Sequence, residues 1–265
     1  AKTTDVLSSV RAVLLDMDGV LYVGDTPLPG VQDFLDYLES TNRQFLCVTN
    51  NASRTSEKFA EKLAVMNVRA RPDQVLGSAQ VAARYLADDV RGNDGSIDGS
   101  VFMLGMDGLR SALLDEGFTL TDDPFDATYA VAGAHFHVTY DELANMSLAI
   151  RNGARFIGTN PDNSFPSERG LLPGTGSILA LLSAASGVEP EVVGKPNAVM
   201  YEIAMQKLGA EPHETLMVGD RYETDIAGAV PLGLITAGVL TGITTAAEFA
   251  QVDPPPTMVV DDLTA

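Results

Sequence analysis

Ala12-Val13-Leu14-Leu15-Asp16-Met17-Asp18-Gly19-Val20-Leu21 is the stretch on which the reading of this chain turns. Four apolar residues run unbroken into two acids one residue apart, and a glycine follows at once. An apolar run without alternation reads as a strand buried on both faces, the pattern of a parallel sheet. Asp16 and Asp18 then emerge at its carboxyl end, the edge where open α/β sheets place their ligands. Two carboxylates so close repel each other and want a cation or a proton.

Outward from that stretch, residues 22–30 carry two glycines and two prolines and read as a loop or small hairpin beside the acids. Val31, Phe34, Leu35 and Leu38 then recur at helical spacing. Phe45–Val48 reads as a second strand running into Thr49-Asn50-Asn51, and Ser56–Val65 as a helix capped by Ser56. Strand, helix, strand, helix favours a parallel sheet with right-handed crossovers.

The middle of the chain breaks that count. Residues 90–100 are a polar, glycine-rich loop. Apolar strands at Val101–Leu104, Tyr129–Ala132 and Phe156–Thr159 then alternate with helical patterns at Leu109–Leu114 and Leu143–Ile150. Residues 160–176 read as loop, ahead of the apolar helix Ile178–Leu182. This is a second α/β unit lying between parts of the first. The last third resumes with a helix at Val199–Leu208 and strands at Thr215–Gly219, Ile235–Val239 and Thr257–Val260, with Asp261-Asp262 read as a helix cap. The expected architecture is a doubly wound α/β core over residues 1–78 and 190–265, with an inserted α/β cap over 79–189.

Composition narrows the chemistry. The chain has 265 residues, with 36 acids against 17 Lys plus Arg and a net charge of −19. No basic stripe is present, so nucleic acid and anionic membrane surfaces are excluded as partners. A phosphorylated small molecule remains open if a metal supplies positive charge locally. No apolar run reaches membrane-spanning length and no apolar signal core opens the chain, so a soluble, cytoplasmic protein is expected. The single cysteine, Cys47, lies in an apolar run and cannot form an internal disulfide, which fits a reducing compartment.

Taken alone, an Asp-x-Asp after an apolar run fits a solvated loop as well as a site. Gly219-Asp220 through Asp225 brings two more carboxylates after another strand, and a helix start enriched in acids would also explain them. Together they place acids on one edge of one sheet. A cluster of carboxylate oxygens without neighbouring Cys is a hard-cation site, with Mg²⁺ the default. Thr49 and Asn50 close the second strand as an ordinary turn or as a phosphate cradle. Lys195, between Gly194 and Pro196, is either a surface lysine or a fixed positive charge for a phosphate.

At these four points, in this order, the sequence resembles the haloacid-dehalogenase superfamily of phosphotransferases. Asp16-Met17-Asp18-Gly19-Val20-Leu21 is similar to its first motif, Thr49 to its second, Lys195 to its third and Gly219-Asp220…Asp225 to its fourth. Thr49-Asn50-Asn51-Ala52-Ser53, Gly158-Thr159-Asn160-Pro161-Asp162 and Gly194-Lys195-Pro196 resemble the NagD-type nucleotidases and the 4-nitrophenyl and pyridoxal phosphate phosphatases. The resemblance implies a two-step phosphoryl transfer in which Asp16 is the nucleophile and Asp18 the proton carrier. It also implies Mg²⁺ held by the Asp16 carboxylate, the Asp18 backbone carbonyl and Asp220, with Asp225 orienting other groups. Thr49, Asn50 and Lys195 would bind the phosphate.

Asp18 separates reaction types, because the family's dehalogenases lack this acid. A phosphonate-cleaving relative would need a cap lysine for a Schiff base, and the insertion from Ser78 to Glu189 contains none. Asn160, Asp162 and Asn163 are the candidates for a substrate-facing cap loop, with a plain surface loop as the alternative. His135 and His137 share a face if the segment is a strand, but with no third ligand nearby they read as structural or as substrate edge. A phosphotransferase of the same chemistry and a non-catalytic phosphate sensor are the alternatives to hydrolysis. Nucleotide, sugar phosphate and pyridoxal phosphate all remain open as substrates. The large insertion offers a surface for a homodimer.

Overall fold

The computed structural model describes residues 6–167 and 169–264. Before the insertion run β1 (Ala12–Asp16), β2 (Tyr22–Val23), β3 (Thr26–Pro27), β4 (Gln44–Thr49) and β5 (Val75–Gly77). Within it lie β6 (Ser100–Leu104), β7 (Thr119–Leu120), β8 (Tyr129–Ala132), β9 (Arg155–Gly158), β10 (Ser164–Ser167), β11 (Gly170–Pro173) and β12 (Glu191–Val192). β13 (Thr215–Gly219), β14 (Ile235–Val239) and β15 (Met258–Val260) follow. The chain divides into two compact units: residues up to Thr49, with Ser56–Leu76 and everything from Lys195, and a second of Asn50–Thr55 with Gly77–Gly194.

The first unit is built on a six-stranded sheet of order β15-β14-β13-β1-β4-β5. β1 is central and pairs in parallel with both β13 and β4. The order runs outward through β4 and β5 on one side and through β13, β14 and β15 on the other, so the chain reverses direction between β1 and β13. That is the topological switch point of a doubly wound fold. Leu15 sits opposite Val218 and Asp16 opposite Val48, so the carboxyl ends of β1, β4 and β13 finish level with one another. Leu14 and Leu15 are fully buried. Each such side chain contributes about 1.5–3 kcal/mol relative to exposure. A one-residue slip would exchange the faces of the strand, so this burial also fixes where Asp16 emerges.

The second unit has its own parallel sheet, β12-β9-β8-β6-β7, with a separate core under the helix Tyr140–Arg151 that includes Leu104, Met146, Phe156 and Leu182. β12 pairs with β9 through Glu191 and Val192, so residues 191–194 belong with the inserted unit and not with a core segment starting at 190. The helix Ser78–Val90 and strand β5 lie outside the elements expected from the sequence. Residues 160–176, expected as loop, contain the antiparallel hairpin β10–β11. Ser56 is the first residue of its helix and donates to the Val75 carbonyl, so it is not an N-cap. Asp262 accepts from the Thr264 amide in a local turn and caps no helix. Cys47 is buried in β4, and burial, with Asp16 nearby, pushes its thiol up to about 12, so it is inert. No helix among the described residues is long and apolar enough to cross a membrane.

Candidate active site

Three loops at the carboxyl edge of the first sheet bring the charged residues together. After β1 the chain turns at Gly19, whose φ of +83° is one that side-chain-bearing residues rarely adopt. A Cβ there would stand 2.5 Å from the Asp220 carboxyl carbon, so both the turn and the crowding demand glycine. After β14, Thr241 donates to the Gly19 carbonyl at 2.5 Å, and the Ile243 amide donates to Asp220 Oδ2 at 2.8 Å. Gly242 also packs so closely on Asp220 that a Cβ would collide with the carboxylate. Asp220 is thus gripped by two glycines and one amide.

After β13, a single π-helical turn, Tyr222–Ile226, carries Asp225 back toward the strand end. The hydroxyl of Tyr201, on the helix Ala198–Leu208, donates to the carbonyls of Thr224 and Asp225 and anchors that turn from behind. Neither the Thr241–Thr244 loop nor Tyr201 stood out in the sequence. The only signal for the loop was that β14 ends on the same edge as β1 and β13.

Lys195 Nζ lies 2.6 Å from Asp16 Oδ1 and 2.7 Å from Asp225 Oδ1. The lysine side chain is 3% exposed, Asp16 14% and Asp225 1%. Carboxylate oxygens of Asp16, Asp220 and Asp225 all fall within 4.8 Å of one another. Burial alone would strip the proton from Lys195, but Asp16 and then Asp225 outweigh it and hold the ammonium above its usual range. Asp16 is pushed well above the ordinary carboxylate range by burial, against the pull of Lys195, with Asp225 and Asp220 adding to the rise. Burial and then Asp225 raise Asp220. The resemblance makes Asp16 the nucleophile, and in the protein alone the upward pressure falls on that residue.

This imbalance tests the expected metal. Three carboxylates face one ammonium, which leaves two negative charges uncompensated when all are ionised. The set holds oxygens and no Cys or His. An oxygen-only set with a two-charge deficit fits a hard divalent cation such as Mg²⁺. Within the set, Asp16 and Asp225 both accept from Lys195, Asp225 also accepts from the Arg221 amide, and Asp220 accepts from the Ile243 amide.

Asp18 lies apart from the cluster. Its side chain is exposed, and the Tyr22 hydroxyl donates to its Oδ2 at 3.5 Å. Thr49 is buried at the end of β4, one position beyond the residue opposite Asp16. The Asn50 amide donates to Asp162 Oδ2 at 3.1 Å, and its carbonyl accepts from Asn160 Nδ2 at 2.7 Å and from Ser78 Oγ. Asn160 is 3% exposed and also donates to Thr175 Oγ1, so this side chain ties its loop inside the second unit. Asn163 is exposed, and its carbonyl accepts from Gly174 and Ser177. His135 lies in irregular chain and His137 in a turn, neither on a strand, and His135 Nε2 is 3.3 Å from Glu142. Neither falls in a potential metal-holding group among the described residues.

Comparison with known proteins meets this geometry at both ends of the chain. Residues 13–119 match the model of a family described as haloacid dehalogenase-like hydrolase, and residues 192–265 match a second, HAD-hydrolase-like model. An acid sugar phosphatase of Staphylococcus haemolyticus is 40% identical over 257 residues, 97% of this chain and 95% of that protein. A 4-nitrophenylphosphatase from Thermotoga maritima superposes with a TM-score of 0.88 at 31% identity, covering 97% of this chain and 96% of the other. NagD from E. coli K-12 gives 0.87 at 28% identity, over 96% and 97%.

Proposed function

The chain belongs to the haloacid dehalogenase-like hydrolase family, and we propose that it hydrolyses a small phosphomonoester in two steps through Asp16. The observation that carries this reading is the Asp16 carboxylate, presented at the switch point with Lys195 at 2.6 Å and Asp220 beside it. An oxygen of Asp16 attacks phosphorus in line, and the bond from phosphorus to the leaving oxygen breaks. That oxygen takes a proton from Asp18. In the second step water attacks the phosphorus of the aspartyl-phosphate, its proton passes to Asp18, and the bond between phosphorus and Asp16 breaks to release phosphate.

A phosphate dianion approaches a carboxylate only where positive charge waits for it. Lys195 supplies one such charge within the chain. Asp16, Asp220 and the Asp18 backbone carbonyl would hold Mg²⁺, which when bound supplies the remaining charge neutralisation and a Lewis acid for the phosphoryl oxygens. Thr49, at the end of β4, would complete the phosphate contacts. The relatives named acid sugar phosphatase support a sugar phosphate as the substrate class, ahead of a nucleotide or pyridoxal phosphate.

The test is release of phosphate from 4-nitrophenyl phosphate with Mg²⁺, with EDTA, and in Asp16→Asn. Turnover is expected with Mg²⁺ only, and Asp16→Asn should lose at least about 10³-fold in kcat. Comparable turnover under all three conditions would remove both the nucleophile and the metal. Ranking kcat/KM over sugar phosphates, nucleotides and pyridoxal phosphate then places the substrate class.

A further inference from the structure

The proton carrier must be held at a defined distance from the leaving oxygen, yet Asp18 stands outside the buried cluster that fixes Asp16. The turn after β1 supplies one hold on Asp18. The chain after β1 folds back in a tight turn. The amides of Leu21 and Tyr22 donate to the Met17 carbonyl at 2.9 and 3.3 Å, and the Gly19 amide donates to the Tyr22 carbonyl at 2.8 Å. Asp18 and Tyr22 form an isolated bridge across this turn. The phenol of Tyr22 is thereby carried against the Asp18 carboxylate, with its hydroxyl 3.5 Å from Oδ2. That length is the long end of such a contact, and catalytic hydrogen bonds commonly tighten only once substrate is bound.

A second group bears on the same phenol. Lys62, on the helix Ser56–Val65, places its ammonium 4.0 Å from the centroid of the Tyr22 ring. Asp25, at the tip of the β2–β3 turn, lies 3.8 Å from that ammonium. Tyr22 is 1% exposed, so the ring is held in place by its burial, whereas the Lys62 side chain is 22% exposed. A cation over an aromatic face is worth about 0.5–1 kcal/mol in a partly exposed setting. It also draws electron density from the ring, which makes the hydroxyl a stronger donor.

We propose that Tyr22 is a positioning residue for Asp18, and that Lys62 acts through the Tyr22 ring to strengthen that hold. The inference rests on the reading of Asp18 as the acid of the first step. Tyr22 donates to Oδ2, which leaves the other carboxyl oxygen to carry the proton toward the leaving group. Losing the hydroxyl removes one hold on the carboxyl, and the cost appears only where the leaving oxygen needs a proton.

The experiment therefore compares two esters of similar size, phenyl phosphate and 2,4-dinitrophenyl phosphate, by kcat/KM, which reports only the steps through the first phosphoryl transfer. Phenolate is a poor leaving group and needs the acid, whereas dinitrophenolate departs without it. In Tyr22→Phe, which keeps the ring and its packing, the loss for phenyl phosphate should exceed that for the dinitrophenyl ester on the order of tenfold. Lys62→Met should skew the two substrates the same way by roughly threefold, and Lys62→Arg, which retains a cation, should restore the balance. The Lys62 pair sits at a partly exposed position and carries the same test if Tyr22→Phe weakens the fold. Asp18→Asn separates the two levels of the argument. A strong skew there with an even loss in Tyr22→Phe overturns the role of Tyr22 alone. No skew in Asp18→Asn removes the acid itself, and the inference with it.

Discussion

Lys195 in the first unit and Arg155 in the second are each held between two carboxylates, and these two clusters behave in opposite ways. In the first, Lys195 lies between Asp16 and Asp225, all three side chains nearly out of solvent. In the second, Arg155 donates to Glu191 at 2.7 and 2.6 Å and to Asp89 at 2.5 Å, with side chains 29, 44 and 60% exposed. Tyr85 donates to Glu191 as well. Arg155 holds Glu191 below its ordinary range, whereas Asp16 is pushed up despite its lysine. The difference lies in burial and in the third acid, Asp220, which has no counterpart in the Arg155 cluster. A satisfied cluster clamps strands and helices together. An unsatisfied one keeps a place for a further positive charge.

The sharpest way to break the comparison is to remove each cation. Lys195→Met leaves Asp16, Asp220 and Asp225 facing one another without compensation. Breaking a buried pair by deleting one partner costs about 3–5 kcal/mol. Phosphatase kcat should also fall by about 10²–10³-fold, as for the loss of one preformed charge at a transition state. Chemical denaturation and turnover check the two effects. A variant with unchanged stability would show that the lysine is not what holds the acids together.

A smaller effect, of opposite sign, comes from removing the surplus acid. In metal-free protein, Asp220→Asn takes away one uncompensated buried charge while keeping an oxygen for the Ile243 amide. Its melting temperature in EDTA should equal or exceed that of the wild type. Adding Mg²⁺ should raise the wild-type melting temperature, since a cation that binds only the folded state stabilises it by mass action: about 2.7 kcal/mol at one hundred times Kd. Asp220→Asn should lose most of that rise. If Asp220→Asn melts lower than wild type in EDTA, the cluster is already balanced and the contrast with Arg155 fails.

The difference between the units also marks how far the sequence could be read. Asp16 and Asp220 were legible because Ala12–Leu15 and Leu216–Val218 are unbroken apolar runs, and a buried parallel strand has its ligand edge where such a run ends. Lys195 gave no such sign and came only through likeness to known motifs, since nothing local distinguishes a buried lysine from a surface one. The grip on Asp220 by Gly242 and Ile243, and the anchoring of the Asp225 turn by Tyr201, join residues more than 20 apart, which no periodicity records. The hairpin Ser164–Pro173 shows no strand pattern in the sequence because Pro166, Gly170 and Pro173 interrupt its alternation. In the second unit, Arg155 and Glu191 meet only because β9 and β12 pair.

The mildest test turns on that pair. Arg155, and then Tyr85, hold Glu191 below 4.5 through hydrogen bonds to its ionised form. A carboxyl with a depressed folded-state value contributes stability that is present above its unfolded value and lost as pH falls through the folded one. Both residues are partly exposed, so the contribution is about 0.2–1 kcal/mol and shrinks with salt. Glu191→Gln should therefore melt slightly below wild type at pH 7, and the gap should close as pH drops below about 4.5. Thermal melts from pH 7 to pH 3 decide it. A gap that persists at pH 3 would mean that packing of β12 against β9, and not the ionised carboxylate, carries the contribution. That outcome would reduce the Arg155 cluster from an electrostatic clamp to a by-product of strand pairing, and of the two clusters only the lysine one would be held by charge.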